Sequence, residues 1–91
     1  MSSLPLDLKN VSKENINKEI LRTGVIAELD AINLYEQMAA MATDKKIKTI
    51  LLDIAKEEKT HVGEFQALLL ELDQEQKQEL EHGKKEVEEK K

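Results

Sequence analysis

Cysteine and tryptophan are absent from the 91 residues, and the chain has one proline, one tyrosine, one phenylalanine and three glycines. Without cysteine there is no disulfide scaffold, no thiolate-held zinc or iron–sulfur cluster, and no thiol nucleophile. The shortage of aromatics, proline and glycine excludes a sandwich or barrel, whose β-branched and aromatic strands are broken by Gly/Pro turns. A basic face is missing too. At a net charge of -5, no nucleic-acid partner is expected, because phosphate binding needs clustered cations. No apolar run approaches the ~20 residues that span a bilayer, so no membrane partner is expected either. The stretch from Met1 to Asn10 lacks the basic and apolar blocks of a signal peptide, which points to a cytoplasmic protein.

What the chain does have is charge and helix formers: 36% charged and 40% apolar residues. That balance suits long surface helices, and the length suits one small domain with a modest core, so the expected class is all-α. Residues 1–11 carry the only proline, Pro5, and read as an arm. Ser12 is placed to cap a first helix, with Glu14 in its first turn. That helix runs to about Ala42, and Gly24 costs it only ~1 kcal/mol relative to alanine. Thr43-Asp44 offers a break and a new cap, so a second helix should run from Asp44 to about Leu72, with Gly63 its one weak point. The expected organisation is thus an arm over 1–11, an antiparallel helical hairpin over 12–72 and a charged helix or tail over 73–91. In that last segment Asp73 caps a short third helix, Gly83 ends it, and Leu80 and Val87 are the main apolar residues.

Each long helix has an apolar stripe, and each stripe contains a carboxylate. Leu21, Gly24, Val25, Ala31, Ile32, Tyr35, Met38 and Ala42 surround Glu28 on the first helix. Ile47, Ile50, Leu51, Ile54, Val62, Phe65, Leu68 and Leu72 surround Glu58 and His61 on the second. The i, i+3, i+4, i+7 spacing turns these polar groups toward the expected core. A buried charge there is expensive unless it is paired, protonated or bound to metal. Glu58-x-x-His61 sets a carboxylate and an imidazole one turn apart, a donor pair suited to iron, manganese or zinc. The spacing alone is weak evidence, because Glu79-x-x-His82 repeats it on a polar face.

Position along the hairpin is an independent constraint. Glu28 lies 16 residues before Asp44 and Glu58 lies 14 after it, so both stand roughly 20 Å from the turn and level with each other. One chain therefore offers a Glu from one helix and a Glu-x-x-His from the other, half of a di-iron carboxylate four-helix bundle. A two-fold dimer would complete the bundle and cover stripes that two helices cannot cover alone. Glu28 and Glu58 from two chains supply four negative charges, which two divalent ions neutralise. Glu58 is the expected bridge between the ions, with Glu28 and His61 terminal. Tyr35, two turns after Glu28, and Glu64, one turn after His61, are second-tier candidates beside the site.

Residues 26–37 (IAELDAINLYEQ) and 57–66 (EEKTHVGEFQ) resemble the encapsulated ferritins, and the resemblance extends over about residues 12–75. It implies a half-length ferritin whose ferroxidase centre forms only between two chains, with iron ligands at Glu28, Glu58 and His61 and the nearby tyrosine at Tyr35. Of the family's two metal-uptake glutamates, one position is Ala27 here and the other is Asp30, so only Asp30 keeps a carboxylate. Where bacterial members often have tryptophan, this chain has Leu34. The resemblance further implies ring-shaped decamers of five dimers, two Fe per dimer interface, and residence inside an encapsulin shell that stores the mineral. No shell-docking peptide is evident in residues 81–91; some archaeal members are instead fused to the shell protein. The expected activity is oxidation of Fe²⁺ to Fe³⁺ by dioxygen. The alternative is a non-catalytic helical assembly module stapled by zinc or manganese.

Overall fold

The chain reverses at Ala42–Asp44 because two signals coincide there. Ala42 leaves the helix with extended backbone angles (φ -65°, ψ 134°), and the Asp44 side chain accepts the Ile47 N–H at 3.0 Å, capping the next helix. The computed structural model describes residues 12, 13 and 15–90. These form α1 (Ile16–Met41), α2 (Lys45–Leu72) and α3 (Gln74–Glu89), with no strand among the described residues. The first two helices are antiparallel: the glycine at 24 meets Phe65, Glu28 meets His61, and Glu36 pairs with Lys59 at 3.0 Å. The expected all-α hairpin with a third helix is what the chain forms. The arm over 1–11 and Glu14 lie outside the described residues.

Two boundaries differ from expectation. Ser12 does not cap α1; its carbonyl accepts the Asn15 N–H at 3.0 Å in a preceding turn. Asn15 takes the N-cap position without a side-chain cap bond. The helix starts at Ile16, the first described residue that is not fully exposed, because packing rather than local propensity sustains a helix in water. At the other end, Gly83 does not stop α3, which continues to Glu89. A helix-ending glycine works through the left-handed conformation, and no described glycine has positive φ. Glu81–Lys85, Lys84–Glu88 and Lys85–Glu89 spacings favour continuation instead.

The core is thin. Ile32, Ala39, Ala55 and Leu69 are its buried apolar residues, and the two alanines let the backbones approach closely. Much of the second apolar stripe stays open: Ile47, Ile50, Leu68 and Leu72 are 47–56% exposed. Packing was expected along these positions, but a helix pair can bury only the seam between its members, so the stripes' outer halves need another surface.

The third helix has no buried residue and is anchored at one end. Asp73 is the single residue between α2 and α3, and its carboxylate accepts the Gln76 N–H at 3.0 Å and the Arg22 guanidinium at 2.8 Å. One side chain therefore caps α3 and ties it to α1. The Gln76 N–H first, then Arg22, with Lys18 adding attraction, hold the Asp73 carboxyl below its ordinary 3.8 against the opposing effect of burial. The molecule measures 47 × 42 × 19 Å. Paired helices stand only ~8–10 Å apart, so the second dimension means that α3 projects sideways from the hairpin.

Candidate metal centre

Glu28, Glu58 and His61 meet on one side of the hairpin seam. Each offers one ligand atom, and the three atoms lie within 4.8 Å of one another. His61 Nδ1 stands 3.3 Å from Glu58 Oε2 and 3.4 Å from Glu28 Oε2. The first contact follows from helix geometry, since residues three apart share a face. The second is tertiary and depends on the antiparallel register. Donors that hold a transition metal at ~2.0–2.2 Å stand about 3.0–3.5 Å apart around it, so the observed spacing fits an ion.

Electrostatics support the same reading. Both carboxylate side chains are about one-fifth exposed, 20% for Glu28 and 19% for Glu58. Glu28 Oε2 is itself buried and has no hydrogen-bond partner among the described residues. His61 Nδ1 is near it but is not aligned to donate, and it has at most one hydrogen to share between two carboxylates. A buried, unsatisfied carboxylate oxygen is destabilising unless a cation completes it. Two carboxylates and one imidazole form a mixed oxygen and nitrogen donor set appropriate to iron, manganese or zinc.

The repeat of the motif supplies a contrast. His82 is 3.2 Å from Glu79 and 3.1 Å from Glu86. All three side chains are more than half exposed, and none of them belongs to a three-ligand group among the described residues. Glu-x-x-His becomes a site only where a second helix brings another ligand.

The secondary candidates separate by position. Glu64 is exposed and lines a groove of about 410 Å³ together with Glu28, His61, Phe65 and Leu68. Tyr35 is half-buried on α1. Asp30 is not brought into the cluster: two residues after Glu28, it is turned about 200° around the helix. It lines a separate hollow with Asn33, Leu34 and Gln37. Gly24, expected on the apolar stripe as a minor cost to the helix, has the Phe65 ring packed directly against it. Its place on the apolar stripe, one turn before Glu28, was the available signal.

The surface around the site is apolar and open. Leu68 borders both the Glu28–His61 groove and the adjoining hollow, where Ile20, Leu21 and Leu72 are edged by Asn17 and Glu71, so the cluster adjoins a largely apolar surface. No described helix is long and apolar enough to cross a membrane.

Comparisons with known proteins agree with this fold. The rubrerythrin family profile matches residues 19–91. A ferritin-like–encapsulin shell fusion protein of Pyrococcus furiosus is 60% identical over 81 residues, which is 89% of this chain and 23% of that protein. This chain thus corresponds to less than a quarter of that relative. The crystal structure of an encapsulated ferritin domain from Pyrococcus furiosus superposes with a TM-score of 0.84 at 51% identity, covering 96% of this chain and 94% of that one. The chain belongs to the rubrerythrin family and, within it, to the encapsulated ferritins.

Proposed function

We propose that two copies of this chain face one another across the apolar side that carries Glu28, Glu58 and His61, forming a ferroxidase centre for two iron ions. The observation that carries this reading is the buried Glu28 Oε2, which has no hydrogen bond among the described residues and lies beside a second carboxylate and an imidazole, on a face where Ile20, Leu68 and Leu72 remain about half exposed. One chain supplies three ligands, too few to enclose two ions, and a two-fold partner supplies the same three again. Iron is the substrate. Glu28, Glu58 and His61 of the two chains would hold the ions, and the four carboxylates would balance two divalent charges.

Bound iron supplies the redox chemistry, passing electrons to dioxygen. The chain's own contribution is to hold oxygen-rich ligands that favour Fe³⁺ over Fe²⁺ and to limit water through the surrounding apolar face. Glu64 lines the same groove as Glu28 and His61, and Tyr35 lies two turns after Glu28 on the same helix. Asp30 would offer a carboxylate for metal uptake from the far side of α1. A helical pair has no enclosed cavity for mineral, so the oxidised iron must pass to a store. The Pyrococcus furiosus relative joins a ferritin-like part to an encapsulin shell. By that precedent the assembled rings, decamers in this reading, act inside an encapsulin compartment in the cytoplasm.

The test is oxidation of Fe²⁺ in air. Protein loaded anaerobically with Fe²⁺ should oxidise it faster than buffer, and Glu58→Ala should fall to the buffer rate. Equal rates for wild type and Glu58→Ala would remove the ferroxidase reading. Retained metal with no accelerated oxidation would favour a structural zinc or manganese staple.

A further inference from the structure

We infer that Gly24 and Phe65 form a spacer that sets the position of Glu28 against Glu58 and His61, so that the missing side chain at residue 24 is a requirement of the metal centre. The inference rests on the metal-site reading above. A Cβ built on Gly24 would stand 2.9 Å from Phe65 Cδ1, 3.0 Å from Cε1 and 3.1 Å from Cγ. Three ring atoms at that range mean that the flat side of the phenylalanine lies against the α1 backbone, and the 2.9 Å approach is closer than real Cβ atoms make, so a side chain at 24 requires a shift.

The contact is placed where it matters. Gly24 is one turn before Glu28, and Phe65 is one turn after His61, so the spacer sits on the turns adjoining the ligands on both helices. Phe65 also lines the groove shared by Glu28, His61 and Glu64. With a side chain at 24, one of two movements must follow. If the helices separate, Glu28 moves away from its 3.4 Å approach to His61. If the ring swings aside, it is displaced within the groove that the ligands themselves line. Both outcomes disturb the donor set without touching a ligand, which makes Gly24 and Phe65 positioning residues.

Gly63 supplies the control, because it lies on α2 close to the same site and a Cβ there would meet nothing within 4 Å. Replacing a mid-helix glycine by alanine ordinarily favours the helix. Gly63→Ala should therefore leave metal binding unchanged. Gly24→Ala should weaken it about 10- to 100-fold, the range typical of disturbing groups that orient metal ligands.

The experiment is titration of the full chain with Co²⁺, followed by the visible absorption band of the bound ion, which reports coordination geometry. Gly24→Ala should shift the band and raise the Co²⁺ dissociation constant. Gly24→Ala combined with Phe65→Leu, which removes the ring that the new methyl meets, should recover the wild-type band and most of the affinity. Wild-type binding by Gly24→Ala would overturn the inference, and so would failure of the double variant to recover. Should the wild type itself bind no Co²⁺, the metal-site reading falls and the spacer falls with it.

Discussion

Glu28 and Glu58 are the same residue type at similar exposure, yet their surroundings differ in a way that has consequences. Glu58 is within hydrogen-bond distance of the imidazole of its own helix, whereas Glu28 keeps a buried oxygen that has only a 3.4 Å approach from His61 Nδ1 and no hydrogen bond among the described residues. In the metal-free chain, Glu28 should therefore be a destabilising residue. Glu28→Gln keeps the shape and removes the charge, and it should raise metal-free stability by about 1 kcal/mol, the low end for an unsatisfied buried group because part of the side chain reaches water. Thermal melting with chelator checks this, and the same variant should lose the stabilisation that added Fe²⁺ gives the wild type. A lower metal-free melting temperature for Glu28→Gln would contradict the account. Glu28, Glu58 and His61 stood out in the sequence because carboxylates and a histidine on apolar stripes are physically anomalous, and the structure brings the three together. The glycine at 24 did not, since its meaning depends on where a ring from another helix falls.

Among the elements, the caps show what local sequence can determine. Asp44 and Asp73 each bond the backbone N–H three residues on, a short-range interaction visible in the residue order. The ends at Ser12 and Gly83 were misjudged for a related reason: a capping residue permits a boundary, and burial or continued charge pairing decides whether the chain uses it. Asp73 yields a pH prediction. Its carboxyl is held below 3.8 by the Gln76 N–H and then by Arg22. The clasp on α3 is therefore fully present above that ordinary value and is lost as the pH falls through the depressed one. The Gln76 amide followed by NMR should lose its capped chemical shift only below pH 3.8, and Arg22→Ala should move that midpoint upward. A midpoint unchanged by Arg22→Ala would show that the guanidinium does not support the cap.

At the scale of the molecule, a hairpin with four buried apolar residues reads as part of a larger assembly. In the proposed assembly, a second copy placed by two-fold symmetry covers the apolar face and completes the donor set. The helices, their antiparallel order and the level of the ligands followed from periodicity and spacing. The sideways course of α3 did not, because it depends on Arg22 reaching Asp73 across 51 positions of sequence. The central claim is that the catalytic unit is a pair of chains, and a crystal grown anaerobically with Fe²⁺ tests it most directly through anomalous scattering at the iron edge. The account predicts two iron sites about 3.5–4 Å apart and related by a two-fold axis between them, each bound by Glu28, Glu58 and His61 drawn from two chains. Iron bound within one chain, or away from these residues, would contradict it.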